Sequence, residues 1–220
     1  MQKNHKTKLV LFDLDGTLID TAPDFLTALN NVLINNSREI TTMERVRPHI
    51  SEGSSKLIKS FFMIDEEDIN FTKYKTEFLN EYALNLTKSS KLFKGMDEVI
   101  KYLNDNGIIY GVVTNKFYEY AEPIISSFSE LQDNKILVCP DHVNISKPNP
   151  EGILLACNRL KVKPKDTLYL GDHINDLKAG IAAGTDIIGC LYGYSLQETD
   201  INDFKCKSVK SVSDIVPNIN

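Results

Sequence analysis

Five short apolar runs with β character recur along the chain, and they limit its fold more than any other feature. They are residues 8–12, 108–114, 135–139, 167–171 and 186–192. Continuous apolar runs of this length are typical of strands covered on both faces. Segments with helical periodicity lie between the later runs, at 96–105, 118–128, 150–160 and 176–184. This alternation predicts an α/β fold with an open, mostly parallel sheet.

Residues 21–90 interrupt the alternation. Apolar residues there are spaced as in helices, at 23–35, 54–64 and 66–87, and no strand-like run lies among them. This insertion is too long for a simple crossover after the first strand. We therefore predict a core domain formed by residues 1–20 and 91–220, and a helical cap domain formed by residues 21–90.

Composition and charge exclude several classes of partner. The 220 residues carry a formal net charge of −5 at pH 7, so we expect neither nucleic acid nor an anionic membrane as a partner. No apolar run approaches the roughly 18 residues of a membrane span, and no signal-peptide core follows the basic N-terminus, which favours a cytoplasmic protein. The widely spaced cysteines 139, 157, 190 and 206 predict reduced thiols, without disulfides or a zinc site.

Two aspartates follow the first apolar run directly. Asp13 and Asp15 stand one residue apart at the end of a strand that we expect to be buried. Burial and mutual repulsion both disfavour two charged carboxylates at such a place. We therefore expect positive charge to lie beside them.

Polar residues follow the other strands as well. Thr114 and Asn115 follow the second run, Lys147 precedes a proline-marked helix start after the third, and Asp172 and Asp176 follow the fourth. Ligands of open α/β sheets bind beyond the carboxyl ends of the strands, so we expect one shared site. Each residue type also has an ordinary structural interpretation, such as an Asx-turn, a helix N-cap or a first-turn acid.

These four motifs, in this order, resemble those of the haloacid dehalogenase-like superfamily. Its phosphatases carry D-x-D-G-T, then Thr or Ser, then Lys, then G-D-x-x-x-D, which correspond here to residues 13–17, Thr114, Lys147 and residues 171–176. The resemblance covers almost the whole chain, because the helical insertion matches the family's cap domain. It implies a Rossmann-like core and a Mg²⁺-dependent phosphomonoesterase, monomeric or homodimeric, that acts on a small-molecule phosphate ester.

The resemblance also implies a role for each motif residue. Asp13 is the nucleophile that forms an aspartyl-phosphate, and Asp15 is the general acid and base for the leaving oxygen and the attacking water. The phosphoryl oxygens are held by Thr114, Asn115 and Lys147. The Mg²⁺ ligands are Asp13, the backbone carbonyl of Asp15, Asp172 and Asp176.

Further stretches are similar to the phosphoglycolate-phosphatase-like branch, and most of all to members that dephosphorylate N-acetylmuramic acid 6-phosphate. Both substrates carry a carboxylate, so a basic cap residue is an expected anchor, and the candidates are Arg45, Arg47 and Lys56. Ser55 stands where an Arg is common in this branch, and Lys56 is its neighbour. A planar guanidinium binds a carboxylate through two hydrogen bonds, whereas an ammonium acts as a single compact charge, so the two residue types bind a carboxylate differently.

Other functions are compatible with parts of this pattern. A hexose-phosphate mutase of the same superfamily has the same core acids and differs in the cap. A dehalogenase is disfavoured, because Asp15 and the acids at 172 and 176 would have no function without a phosphate and a metal. Two features disfavour a non-catalytic phosphoacceptor domain. One is the helical insertion, and the other is Asp15, which would act as a hydrolytic base beside the phosphorylated Asp13.

Overall fold

The computed structural model describes residues 6–219, and its centre is a six-stranded parallel sheet. The strands of the protein, in chain order, are β1 Leu9–Phe12, β2 Ile19–Asp20, β3 Lys91–Leu92, β4 Ile109–Val113, β5 Leu137–Val138, β6 Thr167–Gly171, β7 Asp186–Cys190 and β8 Lys207–Val209. The central sheet has the order β5-β4-β1-β6-β7-β8, with β1 between β4 and β6. The predicted α/β class with a mostly parallel sheet is confirmed.

Strand β1 is buried on both faces, as its continuous apolar sequence predicts. Val10 and Phe12 belong to the hydrophobic cluster on one side of the sheet, and Leu9 and Leu11 belong to the cluster on the other side. All four side chains have no exposed surface. This alternation follows from the two-residue period of a strand.

Helices cover both faces of the sheet. They are α5 Met96–Asp105, α6 Tyr118–Ser126, α7 Glu151–Leu160, α8 Ile174–Ala183 and α9 Glu198–Phe204. Helices α5 and α6 contribute apolar residues to the cluster that contains Phe12, whereas α7 and α8 contribute to the cluster that contains Leu11. The sheet core is thus a three-layer α/β sandwich, in which the carboxyl ends of β1, β4 and β6 lie side by side.

Four helices, here called the cap helices, follow β2. They are α1 Ala22–Asn35, α2 Met43–Ile50, α3 Ser54–Phe62 and α4 Phe71–Asn85. Their buried side chains form a separate cluster that includes Phe25, Leu29, Phe78 and Tyr82. The fold therefore contains the expected helical insertion with its own core, while domain boundaries at residues 20/21 and 90/91 stay a prediction.

The two linkers between the sheet core and the cap helices pair with each other. Strands β2 and β3 form a short antiparallel ladder in which Asp20 faces Lys91. The Tyr194 hydroxyl accepts hydrogen bonds from the backbone N–H of Thr21 (2.8 Å) and of Ala22 (3.0 Å), and it donates to Asp20 (2.7 Å). These bonds fix the point at which the chain enters the cap.

The structure differs from the sequence-based expectation in several elements. Strand β5 has two residues where five were expected, and neither α9 nor β8 was predicted. Helix α6 begins at Tyr118 and continues through Pro123 to Ser126. All four cysteines are free, and Cys139, Cys157 and Cys190 are buried. Within residues 6–219, no helix is long and apolar enough to cross a membrane.

Candidate active site

Asp13 lies directly beyond the carboxyl end of β1, at the centre of the sheet edge. Its backbone N–H donates to the carbonyl of Leu170 on β6 (2.8 Å), which continues the ladder by one residue. Its side chain is almost completely buried and lies beside those of Asp172 and Asp176. One carboxylate oxygen from each of these three aspartates lies within 4.8 Å of the others. The structure thus brings together acids from two strand ends and a helix start.

Lys147 supplies positive charge to this cluster. Its ammonium lies within hydrogen-bond distance of four acceptors, namely Asp13 Oδ1 (2.8 Å), Asp176 Oδ1 (2.7 Å), the carbonyl of Val113 (3.0 Å) and the hydroxyl of Tyr169 (2.8 Å). Burial lowers the pKa of Lys147, but the charges of Asp13 and Asp176 raise it by more, so the pKa lies above the usual value. Lys147 is therefore a fixed cation at neutral pH.

Burial and neighbouring acids raise the pKa of two of the carboxyls. Burial raises the pKa of Asp13, and the ammonium of Lys147 offsets only part of that effect. Burial also raises the pKa of Asp172 well above its usual range, and the charges of Asp13 and Asp176 add to the increase. Both carboxyls would ionise more readily with a further cation beside them.

Asp172 has no exposed surface and is held by three neighbours. It accepts hydrogen bonds from Thr17 Oγ1 (3.0 Å) and from the backbone N–H of Tyr194 (2.9 Å), and Ser51 Oγ of the cap lies at 3.5 Å. Gly16 has φ +83° and packs against the same carboxylate, where a Cβ would collide with it. The sharp turn after Asp15 therefore needs a glycine both for its conformation and for space.

The three aspartates fit a divalent cation. With all three carboxyls ionised, the cluster would carry a buried formal charge of −2, since the 3 acids contribute −3 and the ammonium of Lys147 contributes +1. Buried charge of this size is unfavourable unless it is compensated. Hard oxygen ligands clustered within a few ångströms suit Mg²⁺ and similar ions. Asp13, Asp172 and Asp176 could therefore hold a divalent metal.

Asp15 points away from this cluster and toward the cap helices. Its carboxylate accepts hydrogen bonds from the Lys116 ammonium, at 2.9 and 3.0 Å to its two oxygens, and from Thr21 Oγ1 (2.5 Å). The Lys116 ammonium also lies over the rings of Phe25 (4.6 Å) and Tyr82 (4.8 Å) of the cap. The two aspartates of the first motif thus have separate environments and separate cations.

Thr114 and Asn115 follow β4 and lie beside Lys147. The N–H of Thr114 donates to Val138 (2.9 Å), so its side chain is placed at the same sheet edge. The side chain of Asn115 forms two hydrogen bonds with the backbone of Lys147, as a donor to its carbonyl (2.9 Å) and as an acceptor from its N–H (3.1 Å). Asn115 therefore fixes the loop that carries the lysine.

A cavity between the sheet edge and the cap helices reaches the side chains of Asp13 and Asp15. It has a volume of about 170 Å³ and is lined at one end by Asp13, Asp15, Thr114 and Asn115. Its other walls are mostly apolar and aromatic. The cap residues among them are Phe25, Ile50, Ser51, Gly53, Ser54, Phe78, Leu79 and Tyr82.

The three basic cap residues expected as anchors are not among the residues that line the cavity. Arg47 forms an ion pair with Asp20 of the linker (2.8 Å), and Lys56 pairs with Glu52 (3.3 Å) one helical turn before it. Arg45 lies over the ring of Phe61 (5.9 Å). Their part in substrate binding stays a prediction, and Lys116 is the one cationic side chain among the described residues of the lining.

Three residues of the site had no predicted role. Lys116 follows Thr114 and Asn115 directly, so its position at a strand end was the available signal. Tyr169 stands in a fully buried strand, where its hydroxyl must find a polar partner, and its single O–H can donate to the carbonyl of Val113 (3.0 Å) or to Asp176 Oδ1 (3.1 Å). Tyr194 has no sequence signal, because it lies 22 residues beyond Asp172, whose carboxylate its N–H contacts.

Comparisons with known proteins agree with this architecture. Residues 10–190 match the family model described as haloacid dehalogenase-like hydrolase. The chain is 37% identical over 199 residues to the N-acetylmuramic acid 6-phosphate phosphatase of Pseudomonas putida, with 90% of this chain and 89% of that protein covered. It is 33% identical over 194 residues to a phosphoglycolate phosphatase of Xanthomonas campestris, covering 88% and 87%.

A solved structure shows the same fold over nearly the whole chain. The crystal structure of a predicted phosphoglycolate phosphatase from Haemophilus somnus matches with a TM-score of 0.86 and 26% sequence identity. The match covers 97% of this chain and 98% of that one. The cap helices and the sheet core are therefore both part of the shared architecture.

Proposed function

The chain belongs to the haloacid dehalogenase-like hydrolases and is a phosphatase of that family, and we propose that it hydrolyses a small carboxylated or sugar phosphate through an aspartyl-phosphate on Asp13. Phosphoglycolate and N-acetylmuramic acid 6-phosphate are the two candidate substrates, because relatives that match most of the chain are named for them. The observation that carries the proposal is the buried cluster of Asp13, Asp172 and Asp176 around Lys147. Its uncompensated charge suits a divalent metal, for which we propose Mg²⁺.

In this proposal Asp13 attacks the phosphorus atom and the leaving oxygen departs. The bond between phosphorus and the leaving oxygen breaks as the bond to Asp13 forms, and water then attacks the same phosphorus to release phosphate and restore Asp13. The hydrogen bond from Lys147 holds one carboxylate oxygen of Asp13, and the other oxygen would attack the phosphorus. When bound, Mg²⁺ would neutralise the carboxylates and the phosphoryl oxygens, so that one anion can approach another.

We propose that Asp15 transfers the protons. It would donate to the leaving oxygen in the first step and accept a proton from the attacking water in the second. Its carboxylate lines the cavity beside Asp13, and Lys116 and Thr21 hold its orientation. Thr114 would bind a phosphoryl oxygen. Asn115 would hold Lys147 in place through the hydrogen bond to its backbone carbonyl.

The cap helices would exclude water from the first step and admit it for the second. We propose residues 21–90 as the cap domain, because their side chains form a separate hydrophobic cluster and two paired linkers join them to the sheet core. A monomer or homodimer in the cytoplasm stays a prediction. Anchoring of a substrate carboxylate by Arg45, Arg47 or Lys56 would be refuted if replacing all three left turnover of both candidate substrates unchanged.

The test of the proposal is phosphate release from p-nitrophenyl phosphate with and without Mg²⁺. We expect turnover that requires the metal and that Asp13→Asn abolishes. Metal-independent turnover, or none with metal, would refute it. Release of free phosphate from a sugar phosphate, without formation of an isomeric sugar phosphate, distinguishes a phosphatase from a hexose-phosphate mutase.

A further inference from the structure

Phe117 is an exposed aromatic residue on the wall of the cavity. It follows Lys116 directly, and it lines the same cavity as Asp13 and Asp15. The residue is 55% exposed. Single exposed apolar residues are common on protein surfaces. This one differs because it lines the cavity and faces solvent at once, which places its ring where the cavity opens.

The next two aromatic residues along the chain have ring partners of their own. Tyr118 packs edge-on against His142 with 5.4 Å between centroids, and Tyr120 lies 5.7 Å from Tyr82. Among the ring pairs in the described part of the chain, none includes Phe117. The ring of Phe117 is therefore free to pack against a ring that enters the cavity from outside.

The backbone on both sides of Phe117 is anchored, so its ring is presented from a fixed point. The N–H of Lys116 donates to Thr114 Oγ1 (3.2 Å), and the N–H of Tyr118 donates to the carboxylate of Asp141 (2.8 Å). Phe117 therefore holds a constant position relative to Thr114, which would bind a phosphoryl oxygen. A group that contacts both residues would be bound in one orientation.

The proposed chemistry directs the leaving group toward this side of the cavity. Asp13 would attack the phosphorus atom and Asp15 would protonate the leaving oxygen, so the leaving group extends from phosphorus past Asp15. Lys116 contacts both carboxylate oxygens of Asp15, and Phe117 is the next residue. The ring at the opening would therefore contact the part of the leaving group that lies furthest from phosphorus.

The cap side of the lining favours an aromatic leaving group. Its apolar side chains are Phe25, Ile50, Phe78 and Leu79. Ser51 and Ser54 add hydroxyls, whereas the hydroxyl of Tyr82 is buried. A leaving group with many hydroxyls needs a hydrogen-bond partner for each one that it buries, but an aromatic ring needs none. The cavity volume of about 170 Å³ suffices for such a ring, since an apolar protein cavity of about 150 Å³ can bind benzene.

We propose that Phe117 is a specificity-determining residue whose exposed ring stacks on an aromatic ring of the leaving group. This inference rests on the proposed function, and it adds the phosphate monoesters of arylalkyl and heteroarylalkyl alcohols to the substrates of the same site. The ring of the leaving group would lie between Phe117 at the opening and the apolar side chains of the cap. Phe117 takes no part in the transfer of the phosphoryl group.

The experiment compares benzyl phosphate with ethyl phosphate in the presence of Mg²⁺. Both are phosphate esters of primary alcohols, and only the first carries an aromatic ring. The measured quantity is the ratio of kcat/KM for benzyl phosphate to kcat/KM for ethyl phosphate. We expect a ratio of about ten or more in the wild type, and a ratio about fivefold lower in Phe117→Ala, which corresponds to about 1 kcal/mol, the size of one aromatic pair. Phe117→Tyr keeps the ring and should restore most of the ratio.

Tyr118→Ala is the matched control, because Tyr118 is the adjacent aromatic residue, is 45% exposed and does not line the cavity. It should leave the ratio unchanged, and thermal unfolding should show that all variants fold. The proposal is overturned if the wild type does not favour benzyl phosphate, if Phe117→Ala keeps the wild-type ratio, or if Tyr118→Ala lowers the ratio as much. Failure of the wild type on both esters and on p-nitrophenyl phosphate would instead refute the phosphatase, and this inference with it.

Discussion

The ammonium of Lys116 lies 2.9 and 3.0 Å from the two carboxylate oxygens of Asp15, and the same ammonium lies over two aromatic rings of the cap helices. Asp15 is the proposed acid and base, so its orientation depends on a residue that also contacts the cap through Phe25 and Tyr82. We therefore expect closure of the cap and placement of the proposed proton donor to be linked through the Lys116 side chain. The side chain of Lys116 is only 6% exposed, so solvent screens this ion pair less than it screens a surface pair.

Replacement of Lys116 by Met should lower kcat for p-nitrophenyl phosphate about 10- to 100-fold, because Asp15 loses the partner that orients it. Lys116→Arg should restore part of this loss, since it keeps the charge. Lys116 does not contact Asp172 or Asp176, so the Mg²⁺ concentration that gives half-maximal activity should change little. A Lys116→Met variant with full kcat, or one whose defect lies only in metal affinity, would contradict this role.

Replacement of Lys147 by Met should destabilise the metal-free protein by about 3–5 kcal/mol, the usual effect of breaking a buried ion pair. Asp13 and Asp176 would then share a buried space without a cation. Chemical denaturation measures the change in the free energy of unfolding. Lys101→Met is the control, because Lys101 is exposed and pairs only with Asp105. Equal effects of the two substitutions would show that the buried cluster does not depend on Lys147.

Mg²⁺ should raise the melting temperature more near neutral pH than near pH 5. Burial raises the pKa of Asp13 and Asp172 above the value of about 3.9 that an aspartate has in the unfolded chain. The folded metal-free protein thus binds protons more tightly than the unfolded chain, and its stability falls as the pH rises from about 4 through the raised pKa values. Mg²⁺ bound at the proposed site would compete with those protons for the same oxygens.

Thermal unfolding at the two pH values, with and without Mg²⁺, measures this effect, and Asp172→Asn is its control. The variant should lose most of the stabilisation by the metal. An effect of Mg²⁺ that is independent of pH, or that persists in Asp172→Asn, would show that the metal binds elsewhere.

Replacement of Tyr194 by Phe should destabilise the protein by about 2 kcal/mol, because the buried N–H groups of Thr21 and Ala22 lose their acceptor. These residues form the entry to the cap, so hydrogen exchange at Thr21 and Ala22 should accelerate more than exchange in β1. Mass spectrometry of peptides from both segments measures this difference. Uniform acceleration across the protein would indicate a global loss of stability instead.

The sequence predicts that the motif residues share one edge of the sheet, and they do lie together there, because their signals are local. Asp13 follows one apolar run and Asp172 follows another. In each case a stretch of a few residues predicts both the strand and the position at which it ends. Parallel strands then place both ends at one edge without further information. The position of Lys147 could be inferred for the same reason, since a proline-marked helix start follows it.

No short stretch of the sequence predicts the contacts that complete the site, because they join residues far apart in the chain. The bond from Lys116 to Asp15 joins residues 101 positions apart, and that from Tyr194 to Asp20 spans 174. Strands β2 and β3 have two residues each, too few for a periodic pattern, and β8 is only three residues long. The prediction of basic cap anchors used residue type, place in the cap and the carboxylate of both candidate substrates, and none of these determines where a long side chain reaches.

The central claim is that the Asp13 carboxylate becomes esterified with phosphorus during turnover, and reduction of the trapped intermediate tests it most directly. Borohydride reduces an acyl-phosphate to the alcohol, so borohydride added during turnover with Mg²⁺ should convert residue 13 to homoserine, detectable by peptide mass spectrometry. Without substrate, and in Asp13→Asn, no conversion is expected. Unmodified Asp13 under turnover conditions, together with full activity of Asp13→Asn, would contradict the account.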